Sequence, residues 1–274
     1  MMFQQISEYR YNFEVKRFRV AMNIGYILGP AGSGKSYMTM SMFNWMNEVG
    51  YDVVTLNLDP GVVRLPYAPD IDVRNFVDYN EIIDKYELGP NGGLIVAMDQ
   101  VAVAMDDIME EIETFGAEYM LVDFPGQIET VAFRSSGSVI IDELKRDNKI
   151  AGMFLIDPTL CLTASSFISV LLFGISITYR LNTGMNYIIS KADILPQERL
   201  DRIYEWTENP DFLYQDLLDE KSILNAELSR RIADTVVFRE GLGQFPAVSA
   251  EKNINLDVAI GKFQRNWGSE DIFP

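Results

Sequence analysis

Hydrophobic and polar positions fall in blocks along this chain. They predict short buried strands separated by helices. Asn23–Leu28 (NIGYIL) is an apolar run of strand length, and Lys35–Val49 reads as a helix that Gly50 is suited to end. Residues 53–58 (VVTLNL), 119–124 (YMLVDF), 150–156, 186–190 (NYIIS) and 245–248 read as the second to sixth strands. Residues 61–77 look like a loop broken by Pro66 and Pro69. Asp78 and Glu81 then form a capping-box pattern that starts a short helix to about Leu88. Residues 89–93 (GPNGG) interrupt it, and 94–115 reads as one long helix with a solvated acidic face at Asp106–Glu113. A helix is expected within 130–149, a charged helical insertion over 197–241 that includes 216–239, and a closing helix over 254–267. This alternation implies an α/β fold: a mostly parallel sheet with helices on both faces and a helical insertion before the last strand. Residues 1–21 carry no motif and read as an N-terminal arm, with 22–274 a single domain.

One uncharged segment, 160–179, has the length of a bilayer helix. Ser and Thr are scattered through it and a strand-like run lies on each side. It is read as a buried crossover helix or helix pair rather than a membrane span.

The stretch that organises the chain is 29–36, GPAGSGKS, which fits G-x-x-x-x-G-K-S. It lies between an apolar run and a helix. That context aims backbone N–H groups and a helix N-terminus at one spot suited to a phosphate. The cradle would comprise Gly29, Pro30, Ala31, Gly32, Ser33, Gly34, Lys35, Ser36 and Tyr37, with Lys35 as the mobile charge for terminal phosphates and Ser36 as a hydroxyl for Mg²⁺. The second run ends in Asp59-Pro60-Gly61. An acid there faces the crevice at the carboxyl edge of a parallel sheet. The third runs into DFPGQIE, a D-x-x-G pattern. Asp123 would hold Mg²⁺, the Gly126 N–H could sense a γ-phosphate, and Gln127 is placed to orient an attacking water. After the fifth run, Ser190-Lys191-Ala192-Asp193 resembles the N-K-x-D base-reading motif, with Ser190 where Asn is usual. An Asp there can accept two hydrogen bonds from guanine and none of that kind from adenine. Ser249-Ala250 follows the sixth run, where such turns offer an N–H to the guanine carbonyl.

Composition narrows the chemistry further. With 48% hydrophobic residues, a chain of 274 can bury a large core. A formal charge of −17 argues against coating nucleic acid. Cys161 is the sole cysteine and there is no histidine, so intrachain disulfides are impossible and zinc sites or His-based catalysis are disfavoured. A reducing cytoplasm fits, and the polar, charged residues 1–19 do not look like a signal peptide.

From about Met22 to Trp267 the chain resembles the GPN-loop GTPases. Gly89-Pro90-Asn91 is the tripeptide that names that family, and NLDPG (57–61), LPY (65–67), IDVR (71–74) and DFPGQIE (123–129) accompany it in order. The compact length looks like an archaeal-type member. The resemblance implies binding of GTP and GDP with Mg²⁺ and a homodimer whose nucleotide sites face each other. Asn91 of one subunit would reach the phosphate region of the other. It also implies a place for Asp59 in the Mg²⁺ network or on the attacking water, and for Glu129 beside Gln127 on that water. Eukaryotic members assist RNA polymerase II assembly and import, so a switch acting on a partner complex is implied. A non-catalytic, nucleotide-stabilised scaffold for a client is the alternative. A phosphoryl-transferring kinase is disfavoured by the S-K-x-D and G-Q-x-E patterns.

Overall fold

The computed structural model describes residues 21–128, 132–220, 226–236 and 245–268. The expected arm therefore lies outside the described residues except for its last position. Six parallel strands form one sheet: β1 Asn23–Leu28, β2 Val53–Asn57, β3 Ile71–Asp72, β4 Tyr119–Asp123, β5 Lys149–Ile156 and β6 Met185–Ile189, in the order β3-β2-β4-β1-β5-β6. The registers Ile27↔Asp123, Asn57↔Asp123, Leu28↔Phe154 and Ile156↔Ile189 bring five carboxyl ends to one edge. The segments carrying Gly29, Asp59, Asp123, Asp157 and Ser190 all leave the sheet there.

Strand residues alternate between the two faces. On one, Ile27, Leu121, Met153 and Ile188 pack under Met38, Met42 and Met46 of α1 (Lys35–Val49) and Ile260 and Phe263 of α10 (Leu256–Trp267). Each fully buried methionine there contributes about 1.5–3 kcal/mol. A Cβ on Gly25 of β1 would lie 2.9 Å from the Phe263 ring, so the missing side chain sets how closely α10 approaches. On the other face, Ile24, Tyr26, Leu56, Val122 and Phe154 meet α3 (Pro90–Val103), α4 (Met105–Phe115), α5 (Ser135–Lys145) and α6 (Ala164–Leu181).

The uncharged segment is a short 3₁₀ turn, Pro158–Leu160, followed by the single helix α6. By length and composition α6 could cross a membrane. Its buried residues Phe167, Leu171, Gly174, Ile177 and Leu181 recur every three or four positions, and Gly174 is pressed against Tyr187 and Phe154, so it is a core crossover helix. The insertion holds α7 (Gln197–Glu208), α8 (Pro210–Asp219) and α9 (Ala226–Val236); its tail beyond 236 lies outside the described residues. Within the expected helical stretch 216–239, α8 ends at Asp219 and α9 starts at Ala226, and 221–225 lie outside the described residues.

Four expectations change. The loop 61–77 contains the edge strand β3 and a 3₁₀ turn, Val73–Asn75, ahead of α2 (Tyr79–Tyr86). Residues 245–248 make a single parallel bridge, Ala247 to Ile189, rather than the sixth strand, because the chain bonds to β6 only around Pro246 and Val248. The helix expected over 94–115 begins at Pro90 and is interrupted at Ala104. GPNGG is accordingly the first turn of α3, with Gly89 as N-cap and Pro90 at the first position, where its missing N–H costs nothing.

Candidate functional site

The loop between β1 and α1 is shaped by its glycines. Gly34 caps α1 at φ 94°, a conformation L side chains avoid. A Cβ on Gly29 would sit 2.6 Å from Ser33 Oγ and 2.9 Å from the Leu155 carbonyl. Lys35 is buried, and its Nζ donates to the carbonyls of Gly29 (2.9 Å), Pro30 (3.0 Å) and Gly126 (3.3 Å). The sequence-predicted lysine is thereby tied to both the phosphate loop and the D-x-x-G turn. Ser36 is half-buried beside it, while Ala31, Gly32 and Tyr37 face solvent.

Asp123 ends β4 in the middle of the sheet edge and is 1% exposed. Its Oδ2 accepts from the Tyr67 hydroxyl at 3.3 Å, whereas Oδ1 is buried with no hydrogen-bond partner. The Ser36 hydroxyl is close enough to this carboxylate to favour its ionised form. Burial lifts the Asp123 carboxyl to about 6, against the pull of Ser36 and Lys35. Asp59 belongs to the same group. Its Oδ1 accepts from Gly61 N (2.9 Å) and its Oδ2 from Gly126 N (3.4 Å). Burial also raises its pKa, opposed by the Gly61 and Gly126 N–H groups and by Lys35. Asn57 steadies this turn, accepting from Asp59 N (3.0 Å) and donating to Asp72 (3.0 Å).

A buried carboxylate oxygen without a partner, next to a hydroxyl and a second acid, is a donor set a hard divalent cation fits. Mg²⁺ takes few protein ligands and completes its shell with water and phosphate. Ser36, Asp59 and Asp123 are the residues that would hold it. Among the described residues no cluster of three acidic, His or Cys side chains forms a self-sufficient metal cage.

Gln127 follows Gly126 directly and is half-buried; Glu129 lies outside the described residues. Asn91 is exposed, and within this chain no hydrogen bond among those described joins its side chain to Lys35, Asp59 or Asp123. Its turn is anchored toward the site nonetheless: the Tyr79 hydroxyl donates to the Pro90 carbonyl (3.0 Å), and the Tyr79 ring lies against Gly61.

At the other end of the loop, Ser33, Gly34 and Tyr37 line a cavity of ≈ 140 Å³ with Ser190, Lys191, Asp193 and Ala250. Asp193 Oδ1 accepts from Ser249 Oγ (2.5 Å), which itself accepts from Lys252 N (3.0 Å). Ser190 is buried, and its hydroxyl donates to the Ile156 carbonyl (3.3 Å). Its side chain thus serves β5. Sequence reading gave no role to Tyr67, to Asp157 or to the lining residues Met38, Ile194 and Glu251. Tyr67 sat in a quoted motif and Asp157 closed a strand, but no local pattern marked either as part of a site.

A family model described as a conserved hypothetical ATP binding protein matches residues 27–263. GPN-loop GTPase 1 of Dictyostelium discoideum is 30% identical over 209 residues, 76% of this chain and 52% of that protein. GPN-loop GTPase 3 of the same organism is 30% identical over 202 residues, 73% of this chain and 70% of that protein. The match thus spans from about half to 70% of these relatives' length. A crystal structure of a GTPase from Pyrococcus abyssi in apo form superposes with a TM-score of 0.78 at 25% identity, covering 90% of this chain and 99% of that one.

Proposed function

Because this chain belongs to the GPN-loop GTPase family, we propose that it hydrolyses GTP to GDP and phosphate with Mg²⁺ and acts as a dimeric switch. The observation that carries this is the convergence of Lys35, Asp59, Gly126 and Asp123 at one sheet edge, next to a cavity walled by Asp193. The phosphate-loop N–H groups and Lys35 bind the phosphates. Asp193 and the Ser249–Ala250 turn read the base. Gly126 N–H meets the terminal phosphate, and Gln127, with Glu129, orients the water for in-line attack. Ser36, Asp123 and Asp59 would hold Mg²⁺, which would supply charge neutralisation at the phosphates. Asn91 supplies a donor to the facing site of a second copy, where charge builds up during transfer.

As a switch, the γ-phosphate orders the segment after Gly126 and shifts the dimer between two arrangements. The client is a partner complex under assembly, of the RNA polymerase kind, met in a reducing cytoplasm. The test is single-turnover decay of GTP and ATP with Mg²⁺, in wild type, Gln127→Ala and Asn91→Ala. GTP is expected to decay faster than ATP. Each substitution should slow GTP decay at least about tenfold. Equal use of both bases removes the guanine assignment. Binding without decay leaves the scaffold reading, and unchanged decay in Asn91→Ala removes the trans contact.

A further inference from the structure

Asp157 directly follows β5, caps the 3₁₀ turn Pro158–Leu160 and belongs to none of the nucleotide motifs. Its carboxylate is 3% exposed. Oδ1 accepts from both Thr159 N (2.9 Å) and Thr159 Oγ1 (2.7 Å), and Oδ2 accepts from Lys191 Nζ at 2.7 Å. Burial alone would lift this carboxyl, but the bonds from Lys191 and Thr159 outweigh it and hold it below the ordinary carboxylate range. Lys191 lies on the wall of the 140 Å³ cavity. Its backbone is left-handed, at φ 52°. Its Cε passes 3.8 Å from where a Cβ on Gly34 would stand. The side chain therefore runs from the Ser190–Asp193 turn, past the phosphate loop, to the end of β5.

We propose that Asp157 is the positioning residue of the nucleotide's base site: it anchors the Lys191 ammonium so that the lysine stem forms a fixed wall between the phosphate loop and Asp193. This rests on the reading of that cavity as a guanine site. A lysine side chain loses rotamer freedom when ordered. With the ammonium held by Asp157, that ordering is met on folding rather than on nucleotide binding, which is how preorganisation raises affinity. The pair also keeps a cation from swinging across the mouth of the cavity. Asp193 is two residues further along the same turn, so loosening the wall loosens the carboxylate that tells guanine from adenine.

The experiment measures GDP and ADP dissociation constants with fluorescent analogues, and KM and kcat for GTP, on the full chain with Mg²⁺. Asp157→Asn is expected to raise the GDP dissociation constant about five- to tenfold and the ADP constant less than twofold. KM for GTP should rise by the same factor, with kcat falling less than twofold. Lys191→Met keeps the stem and loses only the ammonium, so it should reproduce the GDP effect. The double variant should be no worse than either single one, because both remove one contact. If Asp157→Asn fails to fold, Lys191→Met alone still decides, since its side chain is partly exposed. GDP binding by Lys191→Met equal to wild type overturns the proposal, as do multiplied losses in the double variant. Asp193→Asn separates the two layers. If it leaves the preference for GDP over ADP intact, the guanine-site reading itself fails. If it lowers that preference while Asp157→Asn and Lys191→Met do not, only the anchor is wrong.

Discussion

Replacing Asp123 by Asn should make the protein more stable while disabling it. Burial raises this carboxyl from its ordinary 3.8 to about 6. The sign follows by linkage. A raised carboxyl favours folding when protonated, so its contribution is fully present below pH 4 and is lost as pH rises through 6. The shift is about two pH units, each worth 1.36 kcal/mol, so the ionised group costs up to about 3 kcal/mol at neutral pH. Asparagine carries no such charge and can still accept from Tyr67. In EDTA without nucleotide at pH 7.5, Asp123→Asn should therefore gain up to about 3 kcal/mol in urea unfolding, or roughly 5–10 °C in Tm. At pH 4 most of the gain should be gone, since the folded carboxyl is then neutral and the unfolded one only about half ionised. Adding GDP with Mg²⁺ should narrow the gap and, at a thousand times its dissociation constant, reverse it: ligand then stabilises wild type by about 4.1 kcal/mol, and the variant should gain far less. An Asn variant no more stable than wild type at pH 7.5, or one whose advantage persists in full at pH 4, would show that this carboxylate is not the strained group described.

Gly29→Ala places a methyl 2.6 Å from Ser33 Oγ and 2.9 Å from the Leu155 carbonyl, so the phosphate loop must shift. Titration with labelled GDP should show binding lost, with a stability cost of about 1–3 kcal/mol. Tyr67→Phe removes the hydroxyl that holds Asp123 Oδ2. The Mg²⁺ concentration that half-restores tight GDP binding should rise several-fold, consistent with loss of about 1 kcal/mol of hydrogen bonding, and an unchanged Mg²⁺ requirement would deny Tyr67 an orienting part. Gly174→Ala would press a methyl 2.8 Å from the Tyr187 ring and 2.9 Å from Phe154. Urea midpoints should fall by an equivalent of about 1–3 kcal/mol, while GDP affinity of the folded protein stays as in wild type.

What the sequence disclosed and what it hid divide along sequence distance. β1, the phosphate loop and α1 are contiguous, so an apolar run, three glycines and a helix pattern announce them together. Asp123 was legible for the same reason, standing between its strand and Pro125-Gly126. β3 was not. Two residues have no periodicity, and Ile71 becomes a strand only through pairing with Leu56, helped by Asp70, whose carboxylate accepts from Thr55 N (2.8 Å) and Oγ1 (2.9 Å). The start of α3 was hidden by low helix propensity in Gly92-Gly93. Gly93 is there because a Cβ would stand 2.7 Å from Ile83, a tertiary reason no local rule exposes. The interruption at Ala104 left no mark either, since the apolar spacing of Leu94, Met98, Val101, Met105, Ile108 and Ile112 runs straight through it. The site follows the same rule. Tyr67 meets Asp123 across 56 positions and Lys191 meets Asp157 across 34, with nothing between them to signal either pairing.

The proposed phosphate donors already have partners within the protein, and this constrains how a triphosphate can enter. Lys35 Nζ is shared among three carbonyls, and Gly126 N–H points at Asp59. An incoming γ-phosphate must displace these acceptors, so binding exchanges hydrogen bonds rather than adding them. Its net gain comes from the stronger charge-assisted bonds to phosphate. Two of the displaced acceptors are coupled. Gly126 offers its carbonyl to Lys35 and its N–H to Asp59, so moving that one residue breaks one bond to the cation and one to the carboxylate together. GDP lacks the γ-phosphate and has less reason to break the Gly126–Asp59 bond. On the proposed function, the D-x-x-G turn would distinguish the two nucleotides through a single backbone amide for which Asp59 and the γ-phosphate compete.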